Sequence, residues 1–222
     1  MFIAHYAVAF GAKRAAPRAS LGVLVAAAQW LDLVWPIFLL VGWERVAIVP
    51  KLGNPFATLE FTSYPWSHSL LASCVWGAAL ALAYWLRRRD RRGAVVIAAL
   101  VVSHWVLDLV AHRPDLPLAP GGGPRLGLGL WRSVAATLVV EALLFVAGVL
   151  VYAQSTRPVD RVGRFGFWAL VTFLVLLYVA NATGSPPPNV RALAWTALAG
   201  WLLPLWAWWV DRHRRVSAEA QP

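Results

Sequence analysis

The chain has 222 residues, of which 60% are hydrophobic and 14% are charged, and its formal net charge is +10. Soluble domains are about 45–50% apolar and about 25% charged, and a soluble domain of this length could not bury so much apolar surface. With a single cysteine and long apolar segments, the chain is not a disulfide scaffold, a disordered tail or a coiled coil. We predict an all-α, polytopic integral membrane protein.

Six segments are long and apolar enough to cross a membrane, for which about 20 residues are needed. They cover residues 20–43, 67–86, 93–112, 131–153, 165–182 and 191–210. A seventh stretch, from Phe2 to Ala12, is too short to span, and its basic residues follow it, unlike those of a signal peptide. We expect one transmembrane domain over 1–222 with a short, half-inserted N-terminal helix.

The basic residues predict the orientation of the chain. Fourteen of the 20 lie on one side of the predicted membrane, in the loops around Lys13, Arg89, Arg161 and Arg214. By the positive-inside rule, both termini are expected in the cytoplasm, including a polar tail over 211–222. This placement in short loops is typical of topology and not of a nucleic-acid footprint, so we expect no nucleic-acid partner.

Ionisable residues inside the apolar segments are the main functional signal, because each costs about 2.5–3.5 kcal/mol at the centre of a membrane helix. Such groups are usually paired or functional. They are His5, Asp32, His104, Asp108 and Glu141, with His68 and His112 at span ends.

The third span carries the strongest pattern. His104, Asp108 and His112 are four residues apart and therefore lie on one helix face. One turn separates His104 from Asp108, which allows both to bind one divalent ion, whereas His112 is about 12 Å from His104 along the axis. The alternative interpretation is a buried His–Asp hydrogen bond that only fastens helices.

Helical depth predicts that five of these side chains converge in the outer half of the membrane. Asp32 and His104 lie about 18 Å from the basic ends of their spans, and His5 lies about 12 Å from Lys13. The expected ligand set contains three imidazoles and two carboxylates, which suits zinc or one or two harder ions. These residues are His5, Asp32, His68, His104 and Asp108.

The same residues carry a family resemblance. His5, Asp32, the segment Ser67-His68-Ser69-Leu70-Leu71 and the helix Ser103-His104 through Asp108 resemble the YdjM-like inner-membrane metal-dependent hydrolases. The resemblance covers about residues 1–120 and leaves the three spans within 121–210 unmatched. It implies a bacterial-type inner membrane and a metal-dependent hydrolase. A second Asp near Asp32 and a His-Arg-Gly before the Ser67 segment, both frequent in the family, are missing here.

Three functions follow from this pattern. The first is a metal-dependent hydrolase of an ester or phosphoester in a lipid or lipid-linked substrate. Asp108 or Asp32 then accepts the proton of the attacking water or orients a ligand histidine, and Arg113 holds an anionic head group. His112 faces the substrate, binds a second metal ion, or hydrogen-bonds to Asp108 and fixes that carboxylate. The second is a metal- or proton-coupled transporter with a polar path through Glu141 and Asn181. The third is a catalytically silent membrane scaffold. We expect Glu141 not to bind metal, but to be protonated or bonded to a Trp or Ser.

Overall fold

The computed structural model describes residues 1–49 and 54–217 and is predominantly helical. Lys51, counted among the basic residues of the outer side, and residues 218–222 of the expected tail lie outside the described residues. The helices of the described part are α1 Ile3–Ala15, α2 Leu21–Ala28, α3 Trp30–Leu40, α4 Pro65–His68, α5 Leu70–Arg88, α6 Arg91–Ala111, α7 Val134–Ser155, α8 Arg161–Thr183, α9 Val190–Leu198 and α10 Leu202–Arg212.

Five of the six predicted spans are confirmed as long apolar helical segments, and one differs in form. Helices α5, α6, α7 and α8 are each long and apolar enough to cross a membrane, and so is the segment Val190–Arg212 that joins α9 to α10. The predicted span over 20–43 consists of two helices, because α2 and α3 meet at Gln29 with a bend of 56°. The long helices carry exposed apolar side chains, such as Leu143 on α7 and Leu176 on α8, which are 67% and 62% exposed. Such surface is typical of contact with lipid.

Capping residues explain why some helices begin later than predicted. The second span was expected from residue 67, but α5 starts at Leu70, because the Ser69 side chain accepts a hydrogen bond from the Ala72 amide. Ser133 caps α7 in the same way, so Trp131 lies before that helix and not inside it. His68 consequently belongs to the short helix α4.

Short antiparallel strand pairs, which the hydropathy pattern does not predict, connect the loops. β1 Arg45–Ile48 pairs with β2 Leu59–Ser63, and β3 Leu116–Pro117 pairs with β4 Arg125–Leu126. β5 Thr156–Pro158 pairs with β6 Arg214–Val216. The segment expected to be a polar tail from residue 211 is therefore structured up to Ser217, whose amide donates to the Ser155 carbonyl.

Helix α1 lies inside the bundle, packed mainly against α7, α2 and α6. Gly148 allows α7 to approach it, because a Cβ at this position would collide with the backbone of Ala7. Phe10 packs against the rings of Phe145, Tyr152 and Phe167, with centroids 5.8–6.0 Å away. At about 1.5 Å per residue, its 13 residues cover about 20 Å, which agrees with a half-inserted helix.

A buried ion pair holds the basic end of α1. Lys13 Nζ lies 2.8 Å from Asp211 Oδ2 on α10 and also donates to the Ala19 carbonyl at 2.9 Å. The Tyr152 hydroxyl donates to the other carboxylate oxygen at 2.8 Å. This end contact positions α1 along its axis, and therefore positions His5, which lies two turns away.

Candidate metal centre

Four helices bring five ionisable side chains together, and we refer to these five as the His/Asp cluster. His5 comes from α1, Asp32 from the first turn of α3, His68 from the end of α4, and His104 and Asp108 from consecutive turns of α6. All are buried except Asp32, which is partly exposed. The structure thus unites the five residues predicted from helical depth, while their role as metal ligands stays a prediction.

The ligand atoms of the cluster lie close to one another. His104 Nε2 is 3.2 Å from Asp108 Oδ2, and His5 Nε2 is 3.2 Å from Asp108 Oδ1. Asp32 Oδ1 lies 3.4 Å from His68 Nε2 and 3.7 Å from His104 Nε2. In a tetrahedral site with ligand bonds of about 2.0 Å, neighbouring ligand atoms are about 3.3 Å apart. His68 Nε2 lies 3.8 Å from Asp108 Oδ2, so the separations allow the cluster to hold an ion.

The polar atoms of the cluster are not all satisfied by protein partners. Among the described residues, His104 Nε2 has no hydrogen-bond partner despite being buried, because its approach to Asp108 lacks hydrogen-bond geometry. His5 Nδ1 has none either, and its ring stacks on that of His104 with centroids 3.7 Å apart. Buried polar atoms are nearly always hydrogen-bonded, so the unpartnered His104 nitrogen is available to an ion.

The break between α2 and α3 orients His104. Its Nδ1 lies 2.7 Å from the carbonyl oxygen of Ala28, the last residue of α2. A carbonyl only accepts, so Nδ1 carries a proton, and Nε2 is the nitrogen on the side of the two carboxylates. The last carbonyls of a helix lack partners within it, and the bend at Gln29 supplies this acceptor. The same bend places Asp32 in the first turn of α3.

A chain of hydrogen bonds orients His68. Glu44 Oε1 accepts the amides of Trp66 and Ser67, both at 2.8 Å, at the start of α4. Glu44 Oε2 accepts the Ser67 hydroxyl at 2.6 Å, and Ser67 Oγ lies 2.7 Å from His68 Nδ1. Since the hydroxyl proton goes to Glu44, His68 Nδ1 is the donor to Ser67. His68 Nε2 is then free to bind an ion on the side of the two cluster carboxylates.

The cluster contains two overlapping groups that could each hold an ion, one of His5, Asp32 and His104, the other of His68, His104 and Asp108. Both need His104. Its Nδ1 is occupied by Ala28, and an imidazole nitrogen has one lone pair, so only one ion can be bound through Nε2. The two groups are therefore alternatives for one site.

Asp32 provides the accessible side of the cluster. Its side chain is 40% exposed, whereas those of His104 and Asp108 are 0% and 4% exposed. A water or substrate can reach Asp32 without displacing the buried members. The two carboxylates therefore differ in environment, one enclosed by imidazoles and one open.

A second layer of side chains surrounds His112, which is in neither potential metal group. Its Nδ1 lies 3.0 Å from Asp115 Oδ1, and its ring packs against Trp131 with centroids 4.3 Å apart. Asp115 also accepts from Tyr64 at 2.8 Å and pairs with Arg113 at 3.2 Å. Burial alone would raise the pKa of Asp115, but these donors outweigh it and hold the pKa below its usual range. Of the roles expected for His112, the hydrogen bond to Asp108 is thus replaced by one to Asp115.

Glu141 lies on α7 and is outside both potential metal groups. Its Oε2 accepts the amide of Phe2 at 2.8 Å and that of Ala4 at 3.3 Å, at the start of α1. The expected Trp or Ser partner is therefore replaced by backbone amides at the start of α1. The α-amino group of Met1, beside it, contacts Asp108.

Comparison of the chain with protein-family models, with curated proteins and with solved structures finds no match. The resemblance to the YdjM-like hydrolases therefore stays a prediction, and the functional argument depends on the geometry described above.

Sequence reasoning missed Glu44 and the role of Ser67. Glu44 is buried with 2% exposure, although it follows the first span in a loop with exposed neighbours. Its position as the first charged residue after that span was a signal, but its partners lie more than 20 residues further along the chain. Nothing in the spacing predicted that contact.

Proposed function

We propose that this protein is a membrane-embedded, metal-dependent hydrolase of an ester or phosphoester in a lipid or lipid-linked substrate. The observation that supports it best is the matched orientation of two imidazoles. His104 and His68 each have Nδ1 bound to a structural acceptor and Nε2 turned towards the cluster carboxylates. A purely structural His–Asp contact does not need both rings prepared in this way.

In this proposal His68, His104 and Asp108 hold the ion. All three are buried, and two imidazoles with one carboxylate form a common ligand set of catalytic zinc sites, which keep one position open. His5 Nε2 lies 3.2 Å from the second oxygen of Asp108 and keeps that carboxylate in place. Zinc bound there would lower the pKa of its water ligand to about 7.

Asp32 is the group best placed to accept the proton of the attacking water. Its carboxylate is the exposed one, and Oδ1 lies 3.4 Å from His68 Nε2, at the edge of the group that holds the ion. From this open side of the cluster, Asp32 would pass the proton to the leaving-group oxygen as the ester bond breaks. Because the cluster lies within the span region, a lipid reaches it without leaving the membrane.

The structure offers less support for the other two functions. In a transporter, Glu141 and Asn181 were expected to extend a polar path, but Glu141 binds the backbone of α1 and Asn181 is exposed on α8. A silent scaffold does not require an exposed carboxylate beside two prepared imidazoles. We also propose that the end of the bundle with Lys13 and Asp211 faces the cytoplasm of a bacterial-type inner membrane.

The test compares three variants for metal content and for hydrolysis of lipid carboxyl esters and phosphoesters. We expect His104→Ala and Asp108→Asn to lose most bound metal, and Asp32→Asn to keep the metal and lose chelator-sensitive hydrolysis. Glu141→Gln is the matched control, since it alters a buried carboxylate outside the cluster and should keep the metal.

Two results would contradict the proposal. A wild-type protein purified without chelators that neither holds nor takes up stoichiometric zinc has no such site. Loss of metal in Asp32→Asn equal to that in Asp108→Asn makes Asp32 a ligand and removes it as the proton acceptor.

A further inference from the structure

A cavity of about 340 Å³ opens beside the His/Asp cluster, at the end of the bundle opposite Lys13. Two guanidinium groups line it together with aromatic rings. Its size is at the lower end of the roughly 300–1,000 Å³ of small-molecule sites. The lining includes Arg113, Arg132, Phe56, Phe61 and Trp131. Among the described residues, Asp115 also lines the cavity and offsets Arg113, while Arg132 adds positive charge next to aromatic surface. Such a lining suits an anionic group attached to an apolar body.

The Arg113 side chain is held in place with one edge unused. Its Nη1 pairs with Glu60 at 3.2 Å, and its Nε pairs with Asp115 at 3.2 Å. Within the part of the chain that the structure describes, no bond engages Nη2. A guanidinium fixed in this way needs little ordering to bind an anion.

Arg132 forms no ion pair with any described residue, although it lines the same cavity. Its side chain folds over Gly129, where an added Cβ would lie 3.0 Å from Nε, and this glycine has a φ of +77°. Both features favour glycine at this position. The Arg132 side chain therefore packs over this loop, at the same cavity that Arg113 lines.

The two arginines occupy equivalent positions relative to the ends of their helices. Arg113 follows the last residue of α6 by two positions, and Arg132 precedes the first residue of α7 by two positions. The ends of spans lie at the level of lipid head groups, where an arginine can bind an anionic group through charge-assisted hydrogen bonds.

Two side chains, Asp115 and Tyr64, connect this cavity to the His/Asp cluster. Asp115 lines the cavity and accepts from the Tyr64 hydroxyl at 2.8 Å, and the Tyr64 ring lies 5.4 Å from that of His68. Asp108 precedes the end of α6 by three residues, or about 4.5 Å. A lipid whose head group lies in the cavity would therefore have its ester and phosphoester bonds at the depth of the cluster.

We infer that this cavity binds the phosphate head group of a membrane lipid, with Arg113 and Arg132 as its two ligands to the phosphate. The inference names the substrate class for the proposed hydrolase and rests on that function for its biological meaning. Binding itself can be measured without turnover.

The experiment measures lipid binding to the purified full chain in detergent by native mass spectrometry. Dioleoyl phosphatidic acid is compared with dioleoylglycerol, which has the same acyl chains and no phosphate. We expect phosphatidic acid to bind at least about tenfold more tightly. Arg113→Gln and Arg132→Gln should each weaken its binding about tenfold, whereas Arg191→Gln, at the start of α9 and outside the cavity, should not.

Inorganic phosphate distinguishes the source of the anion. We expect millimolar phosphate to leave most phosphatidic acid bound, since the free ion lacks the acyl chains; complete displacement would refute a lipid site. Equal binding of both lipids, or wild-type affinity in Arg132→Gln, would also overturn the inference, and the exposed position of Arg132 makes misfolding an inadequate explanation. Metal content is measured on the same samples. If phosphatidic acid binds to protein that holds no metal, the hydrolase proposal is refuted and the head-group site stands. If the protein holds metal but does not bind phosphatidic acid, only the head-group site is refuted.

Discussion

The Ser67 hydroxyl offers a sharp test of how the candidate metal site is prepared. In Ser67→Ala, His68 Nδ1 loses its acceptor at 2.7 Å, and Glu44 Oε2 loses its donor at 2.6 Å. Both residues are buried, with 3% and 2% exposure, so water does not readily replace the lost partner. The imidazole can then rotate or change tautomer, which turns a protonated nitrogen towards the two cluster carboxylates.

The size of this effect follows from the broken bonds. A buried polar group without a partner costs about 1–3 kcal/mol. Loss of a residue that orients a metal-bound imidazole weakens metal binding by about 10–100-fold. At about 1.4 kcal/mol per factor of ten, the two ranges agree. We therefore expect Ser67→Ala to weaken zinc binding by about 10–100-fold without abolishing it.

The assay is competition with a chromophoric chelator, supported by the visible absorption spectrum of the Co²⁺-substituted protein. Ser67→Thr keeps the hydroxyl and should restore both affinity and spectrum. Ser69→Ala is the matched control, since it removes a neighbouring buried serine that caps α5 and costs about 1 kcal/mol of helix stability without touching an imidazole. Wild-type affinity in Ser67→Ala, or equal loss in Ser69→Ala, would refute the reasoning.

Three further predictions concern the surrounding structure. His112→Ala should reduce hydrolysis more than metal content, since His112 pairs with Asp115 and is in neither metal group; elemental analysis and turnover on one sample compare the two. Because its folded pKa is lowered, Asp115 should stabilise the fold fully above about pH 4 and progressively less as pH falls below it, so unfolding midpoints of wild type and Asp115→Asn should converge in acid. In a Cys74→Ala background, which removes the exposed native thiol, cysteines at Gly122 and Arg89 should react with an impermeant reagent from opposite sides; reaction from one side contradicts the topology.

Local properties of the chain were sufficient to predict the membrane spans and the members of the His/Asp cluster. The hydropathy of a span is a sum over about 20 neighbouring residues. Helical periodicity places His104 and Asp108 on one face regardless of what surrounds them. Depth along each span could therefore be calculated for His5 and Asp32 before any packing was known. The capping serines, which shift helix starts by a few residues, also act locally. Several nearby residues are equally plausible helix starts, so the sequence did not single out these serines.

The tertiary structure decided how these residues are prepared for chemistry. The bend at Gln29 frees the Ala28 carbonyl for His104, and Glu44 reaches Ser67 across a loop. The hydropathy of the first span is the same for a straight helix and a bent one, so the bend could not be read from it. Burial distinguished Asp108 from Asp32 in the same way, because the exposure of a carboxylate depends on the helices that pack around it, and those come from distant parts of the chain.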